Sequence, residues 1–212
     1  MNSAMTRRLR FLIAFGPTQE PLDPVRYISN NSTGVMGWYL IAAAKARRHK
    51  VTAIECPVDA RTAQDLEKKL AALLPRHDVL IMAAAVCDVR PASFSSAKIK
   101  KDRLKSISLV KNPDILAGLA RKKKKGQVFI GFGLESEKLL QNGLKKLKAK
   151  RLELIVLQKV TKKETPFGKK PIGAVLLDKR GKARKFGSIT KERLARLLVK
   201  SAEKQFVSGT AF

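Results

Sequence analysis

The stretch FLIAFGPTQEPLDPVRYISNNSTGVMG, residues 11–37, decides how this chain is read. Phe11 to Phe15 form an unbroken apolar run of strand length, the pattern of a strand buried on both faces. From Gly34 to Arg48 the pattern turns helical, with Trp38, Leu40, Ile41 and a group of alanines. Between the two, from Gly16 to Gly37, lies a long polar loop. Open α/β sheets bind ligands in the crevice beyond the carboxyl ends of their strands. A loop of this length in that place is uncommon unless it is functional. It closes on Ser29, Asn30, Asn31, Ser32 and Thr33, hydroxyl and amide side chains set where a helix begins. A helix N-terminus carries unpaired N–H groups and the positive end of a dipole, so the junction is a ready anion site. An ordinary N-cap uses the same residue types and is the alternative reading.

Outward from this unit, apolar runs alternate with helical patterns. Strands are expected at Arg10–Phe15, Val51–Glu55, Val79–Ala83, Val128–Gly131 and Leu154–Leu157. Helices are expected at Gly34–Arg48, Ala63–Leu74, Pro113–Lys122, Glu137–Lys150 and Thr190–Lys204. Such alternation gives a parallel sheet covered on both faces. Ala174–Asp178 and Ala183–Phe186 flank Lys179-Arg180-Gly181-Lys182, a hairpin-like turn. The fold class is therefore α/β, a Rossmann-like three-layer fold with a mostly parallel sheet and a C-terminal antiparallel hairpin. With no repeat or low-complexity linker, residues 1–212 are read as a single domain. Ala92–Ser108 and Lys159–Pro171 fit no regular element and follow strand ends, so they are read as active-site flaps; plain surface loops are the commoner alternative.

Composition narrows the function less than the motifs do. Of 212 residues, 45 are Lys or Arg and 17 are Asp or Glu, for a formal net charge of +28. That excess raises a nucleic-acid reading. No helix-turn-helix, zinc finger or basic patch interleaved with aromatics supports it. Steering of phosphorylated substrates, or a general lysine bias in the source organism, explains the charge as well. The run Arg121 to Lys125 reads as a solvated turn. No apolar run approaches the roughly 20 residues of a membrane span. The opening basic-then-apolar segment runs into GPT and not into a cleavage site, so it is the first strand and not a leader. Cys56 and Cys87, with His49 and His77, show no metal-ligand spacing. Cys87 is read as a small packing residue, and the chain as cytoplasmic.

The loop GPTQEPLDPVRYISNNSTGVMG resembles the opening motif of phosphopantothenoylcysteine synthetase, the ligase of coenzyme A biosynthesis. Further matches follow in order: AAAVCDVRP at Ala83–Pro91, KIKK at Lys98–Lys101, KNPDIL at Lys111–Leu116 and GFGLES at Gly131–Ser136. The resemblance implies ligation of 4′-phosphopantothenate to L-cysteine through an acyl-nucleotide, with Mg2+ and CTP or ATP as cosubstrate. It implies catalytic roles for Asn30 and Lys98. It also implies nucleotide contacts from Ser32, Thr33, Gly34, Ala84, Ala85, Asp88, Asn112, Pro113, Asp114, Ile115, Phe132, Lys146 and Lys150. No metal ligand set is expected in the protein itself. Asn112 to Ile115 also reads as a helix start with proline at its first position. Lys146 and Lys150, four apart, share a helix face, which by itself reads as solvated.

Family members complete their site across a two-fold axis, which implies a homodimer. The flavin-dependent decarboxylase often fused before this ligase is not expected here, nor is flavin. A non-catalytic nucleotide- or phosphometabolite-binding relative is the alternative function; a membrane or nucleic-acid partner is not expected. The chain departs from the family pattern at Val35, where a lysine is usual, at Leu157-Gln158, where Ala-Asn follows the fifth strand, and at Lys170-Pro171-Ile172, where the flap has Asp-Asn-Asn. These departures bear on nucleotide choice and flap behaviour.

Overall fold

The computed structural model describes residues 7–161 and 165–209. Its strands are β1 (Arg10–Pro17), β2 (Gln19–Pro21), β3 (Tyr27–Ser29), β4 (Lys50–Glu55), β5 (Val79–Ala85), β6 (Val89–Pro91), β7 (Leu109–Lys111), β8 (Val128–Glu135), β9 (Leu154–Lys159), β10 (Ile172–Asp178) and β11 (Ala183–Ile189). Its helices are α1 (Val35–Ala46), α2 (Ala63–Leu73), α3 (Ile115–Arg121), α4 (Leu139–Ala149) and α5 (Lys191–Ser208).

Seven strands form one sheet in the order β11-β10-β9-β8-β5-β1-β4. The five from β9 to β4 are parallel; β10 is antiparallel to both neighbours. The side-chain alternation of β1 sorts the two cores. Phe11, Ile13 and Phe15 face α1 and α5, whereas Leu12 and Ala14 face α2, α3 and α4. Every one of these five side chains is at most 1% exposed, which accounts for the unbroken apolar run in the sequence. The expected three layers, parallel sheet and terminal hairpin are all present.

Because β4 and β5 lie on opposite sides of β1, the chain reverses its winding direction there. The crevice beyond β1 and β5 is thus the topological switch point, where such folds bind ligands. β11, antiparallel to β10, runs the same way as β1 and ends at the same edge. Hence α5 begins beside the crevice, as α1 does.

Three expectations need correction. The polar loop after β1 is not structureless: β2 and β3 pair as a small hairpin. Its acidic residues do structural work, since Glu20 is buried and accepts the Ala63 N–H that opens α2, at 2.9 Å. Pro113 is not the first helical residue. Asp114 is the N-cap of α3, accepting the Ala117 N–H at 3.1 Å, so the helix starts two residues later, at Ile115. Nor is the 121–125 run wholly solvated. The Lys123 side chain is 8% exposed, with Nζ 2.5 Å from Glu153 Oε2, 2.8 Å from the Arg151 carbonyl, and over the Phe129 ring. Burial pulls its pKa below the ordinary lysine value, against the opposing pull of Glu153.

Helix α1 owes its close approach to β1 to Gly37. A Cβ there would lie 2.1 Å from Phe15 Cγ, and Phe15 is immobilised in the core. Gly37→Ala is therefore expected to destabilise the fold by about 1–3 kcal/mol, the usual scale of overpacking. An unchanged urea midpoint would show that the helix can shift away without cost.

Candidate functional site

A cleft of about 430 Å³ opens at the switch point. Its floor is the carboxyl end of β5, Met82 to Ala85, continuing through Val86, Cys87 and Asp88. One wall is the head of α1. Gly34, at φ +70°, is the N-cap, and no side chain caps the helix. A glycine takes this left-handed conformation without strain and brings its backbone near Gly16. Ser32 only approaches the Gly34 N–H, at 3.4 Å. The ordinary-cap reading of the five polar residues thus fails: the first N–H groups of α1 keep no side-chain acceptor, the condition for an anion site.

The opposite wall is the 111–115 segment, which is pinned to the floor. Asn112 donates from its backbone to the Asp88 carbonyl at 2.9 Å and from Nδ2 to the Cys87 carbonyl at 2.9 Å. Arg90 Nη1 donates to the Lys111 carbonyl at 2.7 Å and to Asn112 Oδ1 at 3.1 Å. These bonds fix the backbone from Asn112 to Ile115 as a rigid edge. Phe132, half-buried within β8, supplies an aromatic face to the same space.

Asn30 also lines the cleft. Its Nδ2 donates to the Ala85 carbonyl at 3.0 Å, which orients the amide and leaves Oδ1 as an acceptor. Cys87 lies beneath it, 5% exposed. Burial raises the Cys87 thiol pKa, outweighing the hydrogen bond to Thr18, so the group is a neutral packing residue and not a nucleophile.

Lys146 and Lys150 do share a face and reach the cleft, but neither is free. Lys146 Nζ lies 2.6 Å from Glu135 Oε1, and Lys150 Nζ lies 3.2 Å from Asp114 Oδ2. Burial works against the Glu135 carboxylate, yet bonds from Lys146 and Asn142 outweigh it and hold its pKa below the ordinary value.

Lys98 is the exception among the sequence-assigned residues. It is exposed and is not among the residues lining the cleft. Its neighbour Ile99 is clamped: the Ile99 N–H donates to Asp23 Oδ2 at 3.2 Å, and Arg26 Nη2 donates to the Ile99 carbonyl at 2.8 Å. β6 and β7 pair at the base of the 92–108 segment, which is therefore an anchored excursion and not a free loop. Of the second segment, 159–171, residues 162–164 lie outside the described residues, while Pro166, Phe167 and Gly168 line the cleft.

The departures also find places. Val35, which stands where the family pattern has a lysine, lines the cleft. Leu157 and Gln158 lie within β9 and not after it, both buried. Leu157 fills the space left by Gly143, where a Cβ would come within 2.2 Å of it. Ile172 opens β10 and faces the cleft. The residue that sequence reasoning missed is Lys191, which lines the cleft at the head of α5. Its one signal is position, directly after the Thr190 cap of a helix that begins where a strand ends.

Residues 6–206 match the DNA/pantothenate metabolism flavoprotein C-terminal domain. The chain belongs to that family. It is 37% identical over 176 residues to the coenzyme A biosynthesis bifunctional protein CoaBC of Escherichia coli K12, covering 76% of this chain and 43% of that protein. A cysteine/cysteine sulfinic acid decarboxylase from an unknown prokaryotic organism is 37% identical over 199 residues, covering 88% of this chain and 55% of that protein. The chain thus spans about half the length of the curated relatives it matches. Among solved structures, the C-terminal domain of CoaBC superposes with a TM-score of 0.77 at 27% identity, covering 96% of this chain and 98% of that one. No helix among the described residues is long and apolar enough to cross a membrane.

Proposed function

We propose that the chain is a phosphopantothenate–cysteine ligase of coenzyme A biosynthesis, one synthetase-like domain over residues 1–212. The observation that carries this reading is convergence. Asn30, Ser32 to Gly34, Ala84 to Asp88, Asn112 to Ile115, Phe132, Lys146 and Lys150 are scattered along the sequence and all line one cleft.

The chemistry follows from what the cleft offers. A carboxylate is a poor electrophile, so the acid is first activated: its oxygen attacks the α-phosphorus of the nucleotide and pyrophosphate leaves. The amine of L-cysteine then attacks the acyl carbon, forming the amide and releasing nucleoside monophosphate. The uncapped head of α1 receives anionic oxygens, and fixed N–H donors need no reorganisation as charge builds. The rigid 112–115 edge meets the base through backbone groups, and Phe132 stacks on a ring. Lys146 and Lys150 hold phosphates once released from Glu135 and Asp114. Asn30 accepts from the attacking amine through Oδ1 while its Nδ2 stays on Ala85.

Mg2+ would travel with the phosphates, since this ion keeps several waters and needs few protein carboxylates. The described residues contain no cluster of three His, Cys, Asp or Glu suited to a metal. Asp88 and Asp114 are the cleft carboxylates that would face it. The ion supplies charge neutralisation on the phosphates. CTP and ATP are the candidate cosubstrates and the cytoplasm the proposed compartment.

Pyrophosphate release with phosphopantothenate, cysteine and each nucleotide in turn tests the reading; binding without turnover would favour a non-catalytic relative. Asn30→Asp should make amide formation lag behind pyrophosphate release, because a carboxylate there repels the Ala85 carbonyl and the anionic intermediate. Both steps at parental rates would reduce Asn30 to a loop tie.

A homodimer belongs to the same proposal. At +28 per chain two copies repel, so added salt, with a Debye length of about 8 Å near physiological strength, should strengthen the dimer. Light scattering across a salt series measures this, and an active monomer at every salt concentration overturns the shared site.

A further inference from the structure

Lys191 is the most unusual charge among the described residues. It is 5% exposed and stands at the first position of α5, where the helix dipole disfavours a cation. Its Nζ donates to the Pro166 carbonyl at 2.7 Å and to the Gly168 carbonyl. Among the described residues it makes no ion pair, unlike Lys123, whose burial Glu153 offsets. Burial pulls the Lys191 pKa below the ordinary value, and the two carbonyls are its hydrogen-bond partners in place of a carboxylate. A buried cation without a counter-charge is costly, and proteins keep such groups where a ligand supplies the opposite sign.

The fold says where that ligand lies. Lys191 lines the cleft, and α5 covers the same sheet face as α1. Two helix heads, one of them uncapped by any side chain, thus meet one space, and Lys191 at the head of α5 lines it. Two of the three ammonium hydrogens are taken by carbonyls of the 166–168 turn, and one remains.

We propose that Lys191 is a phosphate-binding residue of the cleft. Its ammonium ties the Pro166 and Gly168 carbonyls to the head of α5, setting Phe167 as a wall, and gives its remaining hydrogen to a phosphate group of the substrate. This rests on the ligase reading for the identity of the phosphate, which is either the nucleotide polyphosphate or the phosphomonoester of phosphopantothenate. The proposal that a phosphate binds does not depend on turnover.

The experiment is calorimetric titration of the parent, Lys191→Gln and Lys191→Arg with tripolyphosphate, CTP, ATP and 4′-phosphopantothenate. Lys191→Gln should weaken at least one of them tenfold or more, the scale of one lost charge-assisted hydrogen bond. Which titration weakens identifies the phosphate. Lys191→Arg, which keeps the charge, should recover most of the affinity. In the parent, the same ligand should slow amide exchange in residues 167–169, a readout that holds even if the glutamine variant does not fold.

Parental affinity for all four ligands in a folded Lys191→Gln, or unchanged exchange in the parent, overturns the proposal. A protein that binds phosphate through Lys191 yet releases no pyrophosphate would leave the proposal standing and remove the ligase reading. Full ligase activity with parental KM values in Lys191→Gln would do the reverse.

Discussion

Replacing Lys98 by glutamine is expected to lower turnover at least about a hundredfold, the usual scale for losing one donor that stabilises transition-state charge. Nucleotide affinity should stay nearly parental, because Lys98 does not line the cleft in which the nucleotide is proposed to bind. That split separates Lys98 from Lys146 and Lys150, whose loss should weaken binding first. The role requires movement. Lys98 is exposed on the anchored 92–108 segment, so it reaches the acyl-nucleotide only when that segment closes or when a second copy presents it. Pyrophosphate release and nucleotide titration on the same variant measure the two quantities. Lys100→Gln and Lys101→Gln, one turn of charge away in the same run, serve as controls and should retain turnover within a few-fold. Loss of turnover shared equally by all three lysines would point to general attraction of anions and not to a positioned charge.

The sheet was legible because its strands are apolar on both faces. β1, β5, β8 and β9 appear as uninterrupted runs, and their starts were placed correctly at Arg10, Val79, Val128 and Leu154. Their ends were placed too early, since each strand continues past its apolar core: β5 through Ala84 and Ala85, β8 through Phe132 to Glu135. In β5 those extra residues are half-exposed and line the cleft, and in β8 Phe132, Gly133 and Leu134 line it too, so the apolar run that marks the strand in the sequence stops before the strand does.

Pairings between distant segments were not legible. Nothing in the spacing of Glu135 and Lys146, or of Asp114 and Lys150, announces that each lysine is held by a carboxylate. Glu20 and Asp23 read as ligand-loop polarity, yet one opens α2 and the other anchors the 92–108 segment. Lys191 was one lysine among 45 basic residues, and only the return of β11 to the switch-point edge brings it to the site. Short motifs located the cleft, whereas tertiary contacts alone show which of its charges are already spoken for.

Removal of the Asp23 carboxylate carries the second large effect. Asp23 is 1% exposed. Its Oδ1 accepts from the Val25 N–H at 2.9 Å and the Arg26 N–H at 2.8 Å, closing the turn between β2 and β3. Its Oδ2 accepts from Arg26 Nε at 3.0 Å, from Arg26 Nη2, and from the Ile99 N–H at 3.2 Å. One side chain thus joins the hairpin turn to the residue after Lys98. Asp23→Ala leaves Arg26 and three backbone donors without this acceptor, and the segment loses its register over the hairpin. Turnover is expected to fall as far as in Lys98→Gln, about a hundredfold, with nucleotide affinity again preserved. Because both changes act through the same lysine, the double variant should be no slower than either single one, the non-additivity expected of coupled residues. Fully multiplied losses would show that Asp23 supports the fold independently of Lys98. The hydrogen bonds from Arg26, with those from the backbone, hold the Asp23 carboxyl well below the usual carboxylate range, against the pull of burial. A depressed folded pKa means the stabilisation is complete above the unfolded value of about 3.9 and is lost only as pH falls through the folded one. The tie therefore persists through mildly acidic conditions, and a decline in activity between pH 7 and 5 in the parent must arise elsewhere. Limited proteolysis of residues 92–108 across that range, in the parent and in Asp23→Ala, checks this directly: cleavage should be constant in the parent and faster at every pH in the variant.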